Sequence, residues 1–173
     1  MKVILSQIEE KVIRASFQKS VINRRKTIIK IRESHLPCYL FELNFTSSRK
    51  NKTVFVICDA LKGKIRRLNW PQPCRFYHPE MNKFYLTEAE ALAKVQDELK
   101  WFPFLPGLHL KRKYRLAKTV FLGQVGYPFW LVYFKRRGRY DFAVYDALSG
   151  KKEDFFGKDI FLAYFGLEPS PMA

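Results

Sequence analysis

Val56-Ile57-Cys58-Asp59-Ala60-Leu61-Lys62-Gly63-Lys64 and Val144-Tyr145-Asp146-Ala147-Leu148-Ser149-Gly150-Lys151 carry the same pattern twice. In each, a β-rich run ends on Asp-Ala-Leu, a Gly stands four residues after the Asp, and a Lys follows. Such a segment is built to turn. The Asp that ends the strand accepts hydrogen bonds from nearby backbone N–H groups, and the Gly takes the positive φ that closes the turn. An echo of this kind in a chain of 173 residues is the mark of an internal repeat.

Working outward, each copy has a strand-like run before the turn, Thr53-Val54-Phe55-Val56-Ile57-Cys58 and Asp141-Phe142-Ala143-Val144-Tyr145. Further upstream each has a Pro and a second run, Pro37-Cys38-Tyr39-Leu40-Phe41-Glu42-Leu43 and Pro128-Phe129-Trp130-Leu131-Val132-Tyr133-Phe134. A short basic stretch separates the runs: Ser47-Ser48-Arg49-Lys50-Asn51-Lys52 in one copy, Lys135-Arg136-Arg137-Gly138-Arg139 in the other. Two β-rich runs joined by a few polar residues predict an antiparallel hairpin. A further short strand is expected after each turn, at Lys64–Leu68 and Lys151–Phe155. Another is expected before each Pro, at Thr27–Arg32 and over 114–122, where Tyr114, Leu116, Val120 and Leu122 fall on one face at period two, with Lys118 the exception.

A helix is expected ahead of each set of strands. The better marked begins at Thr87 with Glu90 three residues on, a capping box. Ala91, Leu92, Val95, Leu99 and Phe102 follow at helical spacing, and Pro103 and Pro106 end it. The first helix places Ile4, Ile8, Val12, Ile13 and Phe17 on one side. The expected fold class is therefore α+β, with two tandem helix-plus-antiparallel-sheet modules related by the internal repeat. They occupy residues 1–68 and 87–173. A linker at 69–86 holds Pro71, Pro73 and Pro79, and a last helix covers about 158–165.

The order of helix, paired strands and Asp-Ala-x-x-Gly turn resembles the PepSY module, a cystatin-like α+β unit. Thr87-Glu88-Ala89-Glu90-Ala91-Leu92-Ala93 is similar to the start of that family's helix, and both Asp-Ala-Leu segments are similar to its turn. The resemblance covers most of 87–156 and, less well, 1–68. It implies a non-catalytic module, and peptidase inhibition or regulation as one role.

The chain carries 32 Lys and Arg against 16 Asp and Glu, a net charge of +16. Self-repulsion makes such an excess costly, and it points to an acidic partner. The excess is uneven: residues 1–86 hold 18 Lys and Arg against 6 Asp and Glu, and residues 87–173 hold 14 against 10. The hydrophobic fraction of 47% supports a core and excludes global disorder. Three cysteines do not make a disulfide scaffold. The first residues do not read as a signal peptide, and no run is long and apolar enough to span a bilayer. A cytoplasmic setting is the expectation.

Residues with catalytic potential do not assemble into a motif. His35-x-x-Cys38 and Cys74-x-x-x-His78 could offer two pairs of zinc ligands, but the first is not a standard knuckle spacing. His109 stands apart. Asp59 and Asp146, with Gly63 and Gly150, are fully explained as turn residues. No phosphate-binding Gly-rich loop, nucleophile elbow or H-E-x-x-H is present. No catalytic residue, metal or cofactor is expected. The functional candidates are five basic clusters: Arg24, Arg25 and Lys26; Arg49, Lys50 and Lys52; Lys62, Lys64, Arg66 and Arg67; Lys111, Arg112, Lys113 and Arg115; and Lys135, Arg136, Arg137 and Arg139. Two of them occupy the matching hairpin turns. The expected function is a non-enzymatic interaction or regulatory protein whose basic surface docks on an acidic macromolecule. The alternatives are a nucleic-acid-binding protein contacting phosphates, with Tyr114, Tyr133 or Tyr140 stacking on bases, and a peptidase regulator of the PepSY kind.

Overall fold

The computed structural model describes residues 1–20, 23, 25–46, 50–76, 85–98, 115–153 and 156–165. The strands are β1 (Lys2–Ile4), β2 (Thr27–Thr46), β3 (Asn51–Asp59), β4 (Ile65–Leu68), β5 (Cys74–Phe76), β6 (Arg115–Arg136) and β7 (Arg139–Asp146). The helices are α1 (Glu10–Lys19), α2 (Glu88–Glu98) and α3 (Gly157–Phe165). The strands form one seven-stranded sheet in the order β4-β3-β2-β6-β1-β5, with β7 also paired to β6. Among the described residues no helix is long and apolar enough to cross a membrane.

Both expected hairpins form. β2 pairs antiparallel with β3 from Cys38 opposite Asp59 to Thr46 opposite Asn51. β6 pairs antiparallel with β7 from Phe129 opposite Asp146 to Arg136 opposite Arg139. The two Asp-Ala-Leu segments are turns with the same wiring. Asp59 N–H donates to Lys64 O and Asp146 N–H to Lys151 O, at 3.0 and 2.9 Å. Ala60 N–H reaches Pro37 O and Ala147 N–H reaches Pro128 O. The Asp59 carboxylate accepts from the N–H groups of Leu61, Lys62 and Lys64. The Asp146 carboxylate accepts from those of Leu148 and Ser149, and its second oxygen from the Tyr127 hydroxyl at 2.7 Å. Both aspartates are buried, so these donors replace the water each carboxylate gave up. Gly63 and Gly150 close the turns at φ +76° and +70°.

The expectation of two tandem helix-plus-sheet modules is corrected: the chain builds one large sheet with three short helices. The strands expected on either side of Pro37 are one strand of 20 residues, and those on either side of Pro128 are one strand of 22. Pro read as a break because it lacks an N–H. Yet its φ is compatible with extended chain, and it pushes the residue before it into the extended region. At about 3.3 Å per residue each strand has a contour of roughly 65 Å or more, which carries the chain well past the helix preceding it.

The compact units are consequently discontinuous, Met1–Lys2 with Pro37–Val125 and Val3–Leu36 with Gly126–Ala173, rather than 1–68 and 87–173. In the first unit, Tyr39, Phe41, Leu43 and Phe45 of β2 and Val54, Val56 and Cys58 of β3 present one face at period two. Ala91 and Val95 of α2 pack on that face, with Ile65 and Phe121 beside them. In the second, Ile13 and Phe17 of α1 pack on Ile31, Val132, Phe134, Ala143 and Tyr145. Phe129 meets Phe156 and Phe161 edge-on, which seats α3. Each of α1 and α2 thus lies on the hairpin from the opposite half of the sequence.

Smaller expectations also shift. Ile4 belongs to β1 and Val12 is 48% exposed, so α1 buries only Ile13 and Phe17. Over 115–122 the residue that packs inward is Phe121, while Leu116 and Leu122 are exposed. The span 69–86 contains β5. After the second turn, the described residues of the expected 151–155 strand form a bridge from Lys152 to Tyr145. Tyr114, Leu99, Phe102, Pro103, Pro106, Pro79, Asp154 and Phe155 lie outside the described residues, as do Ser47 and Ser48.

Candidate polyanion interface

The β6–β7 hairpin closes through Arg137 and Gly138, both at positive φ, +48° and +82°. That is the backbone of a tight two-residue turn whose twist suits the flanking strands. Asn or Gly would take the first position with less strain than Arg. Side chains alternate between faces along both strands, and directly paired residues share a face. Phe134, Arg136, Arg139 and Asp141 therefore lie on one face of the tip, and Tyr133, Lys135, Tyr140 and Phe142 on the other.

On the first face these residues line an open cleft of about 520 Å³ together with Lys26 and Arg137. Lys26 follows a short turn in which its N–H donates to Asn23 O. Its ammonium stands 4.4 Å from the centre of the Phe134 ring and 5.8 Å from that of Phe17. Burial pushes the Lys26 pKa down, and the nearby charges of Arg136, Lys158 and Lys152 push the same way against the opposing pull of Asp141. Burial first, and the neighbouring cations after it, thus hold Lys26 more weakly protonated than an ordinary lysine.

Among the described residues Asp141 is the one acid lining the cleft, and it is engaged. Its Oδ1 accepts from Lys158 Nζ at 2.6 Å and from Phe142 N–H at 2.8 Å. Burial pushes its carboxyl up, but these two hydrogen bonds, with the charges of Lys158 and Lys26, outweigh that and hold it below the usual aspartate value. It stays ionised and leaves Lys26, Arg136, Arg137 and Arg139 in net excess around the cleft.

Of the residues singled out in the sequence, the structure brings Lys26 together with Arg136, Arg137 and Arg139. Arg25 is exposed beside Lys26 in the chain, and Lys135 lies on the opposite face of the tip. Lys50, Lys52, Lys62, Lys64, Arg66, Arg67 and Arg115 belong to the other compact unit. There Lys50, Lys62, Arg67 and Arg115 are exposed, and Lys52, Lys64 and Arg66 half-buried. Arg24, Arg49, Lys111, Arg112 and Lys113 lie outside the described residues. Lys158 and Lys152 joined the cluster unannounced. Lys158 stands alone in the sequence and Lys152 beside Lys151, and the seating of α3 and the bridge from Lys152 to Tyr145 bring their charges here.

The other chemistries find little support in the geometry. His78 and His109 lie outside the described residues, and among those described no group of three or more His, Cys, Asp and Glu side chains could hold a metal. His35 and Cys38 stand three apart in a single strand, so their side chains leave it on opposite faces. Burial, and next the charge of Asp59, push the Cys58 thiol up to about 12, which keeps it an inert thiol. Ser6, Glu33 and His35, not linked by any sequence motif, do converge. However, the Ser6 hydroxyl donates to Glu33 Oε1, with His35 Nε2 3.6 Å from the same oxygen. The serine proton is thus held by an acid rather than aimed at the imidazole, which is not the arrangement of an activated nucleophile. No family model, curated protein or solved structure matches the chain.

Proposed function

We propose that this chain is a non-enzymatic binding protein that docks an acidic macromolecule at the tip of the β6–β7 hairpin. The observation that carries the reading is the cleft in which Lys26, Arg136, Arg137 and Arg139 converge around an acid already neutralised by Lys158. A lone basic turn is ordinarily a solvated turn. Here four cations from two separate stretches of the chain line one open cleft, and a polyanion bound there would offset their like charge. The net charge of +16 adds long-range attraction for such a partner.

The test is charge reversal at the tip. Arg136→Glu with Arg137→Glu should leave the thermal midpoint nearly unchanged, because both side chains are exposed. The same variant should bind heparin or duplex DNA more weakly, and the fall of log affinity with log salt should become shallower by roughly one unit for each phosphate or sulfate group that the variant no longer neutralises. Wild-type affinity that ignores salt, or an unchanged slope in the double variant, would remove the hairpin tip from the reading.

A further inference from the structure

The outer face of the same hairpin tip is built differently from the cleft. Tyr133 pairs with Phe142 and Lys135 with Tyr140, so all four side chains stand on one face. The Tyr133 and Phe142 rings are 6.1 Å apart. Lys135 Nζ lies 5.4 Å from the Tyr140 ring centre and Lys158 Nζ 5.3 Å from that of Phe142. Tyr140 is 74% exposed, and Tyr133 and Phe142 are half-buried. The next pair down the hairpin on this face, Leu131 opposite Val144, is buried, so the aromatic face lies beyond the covered part of the sheet.

We infer that this face stacks the bases of single-stranded nucleic acid, with its phosphates on Arg136, Arg137 and Arg139. The inference rests on the polyanion reading and narrows it to one class of ligand. Exposed aromatics beside Lys and Arg are the recurring means of holding unpaired bases, because every base has a π face and the backbone is anionic. The spacing favours a single strand over a duplex. Two residues along a strand advance roughly 6.7 Å, about twice the 3.4 Å between stacked bases in a duplex, so the rings match bases that have been splayed apart. Arg137, at the turn itself, links the aromatic face to the cations on the reverse face, and a strand laid over the tip touches both.

Fluorescence anisotropy with labelled oligothymidylate, an abasic oligomer of equal length and labelled heparin tests this. The wild type should bind oligothymidylate more tightly than the abasic oligomer, whose charge is the same. Tyr140→Ala should weaken oligothymidylate binding by about 5- to 150-fold and leave heparin and the abasic oligomer unaffected, while Tyr140→Phe retains the tight binding. Equal affinity for oligothymidylate and the abasic oligomer would overturn base stacking while leaving a polyanion site. A Tyr140→Ala loss of the same size on all three probes would also overturn it, because the ring would then act through structure or charge. No binding to any probe at low salt would overturn both readings.

Discussion

Gly63 and Gly150 occupy the same turn position, yet a side chain would meet different surroundings at each. At Gly150 a Cβ would rest 3.5 Å from Ile8 in ordinary van der Waals range, so the cost is that of the left-handed backbone alone. At Gly63 it would stand 2.1 Å from Lys94 Cδ and 3.0 Å from Leu86 Cδ1. Gly150→Ala should therefore lose about 1 kcal/mol, and Gly63→Ala more, since Lys94 must also be displaced. Thermal or urea denaturation of the two variants measures the difference; equal losses would mean that Lys94 moves aside freely. The aspartates differ in a similar way. Lys64 N–H completes the Asp59 set, whereas the Tyr127 hydroxyl completes that of Asp146.

Two helices begin alike but are anchored unequally. The segment before α2 uses Tyr85 and Leu86 N–H to bond Ala60 O, and the segment before α1 uses Gln7 and Ile8 N–H to bond Ala147 O. A donor from the first strand of each hairpin then grips the approach to the helix: Tyr39 Oη donates to Leu86 O at 2.7 Å, and Trp130 Nε1 to Ile8 O at 2.8 Å. The capping differs. Thr87 N–H and Oγ donate to the Glu90 carboxylate and Glu90 N–H returns to Thr87 Oγ, while Glu9 caps α1 without a side-chain hydrogen bond. The Thr87 backbone bond, then its hydroxyl, holds the Glu90 carboxyl below its ordinary value of 4.5. A folded value below the unfolded one means that the box stabilises α2 fully above pH 4.5 and ceases to do so as pH falls through the lowered value. Acid titration of helical circular dichroism should thus show a loss near and below that pH which Glu90→Gln makes shallower.

At the scale of the molecule, 32 basic residues against 16 acidic ones make the folded state self-repelling. Added salt shortens the range of that repulsion to about 8 Å at physiological ionic strength, so the midpoint of thermal unfolding should rise on going from low to moderate sodium chloride. Heparin should raise it further at equal ionic strength, because a ligand that binds only the folded state stabilises it by mass action. Differential scanning fluorimetry reads both effects. A midpoint indifferent to salt would show that charges are spaced widely enough not to burden the fold. A salt effect without a heparin effect would count against the proposed binding.

The sequence by itself determined what depends on neighbours along the chain. The Asp-Ala-Leu turns, the two hairpins, the Thr87–Glu90 box and the basic tip at 135–139 all formed where local patterns placed them. Each is a matter of period-two alternation, a short polar connection or a capping bond, and such forces act over a few residues. Whether Pro37 and Pro128 end a strand or lie within one is not local, because extended chain on both sides suits either outcome. Ladder pairing across the sheet decided it, and with it the exchange by which α1 packs on β6–β7 and α2 on β2–β3. The site divides along the same line. Its arginines and Asp141 stood together in the sequence on one hairpin, but Lys26 and Lys158 reached them only through tertiary packing, since desolvation and Coulomb forces act through space and take no account of distance along the chain.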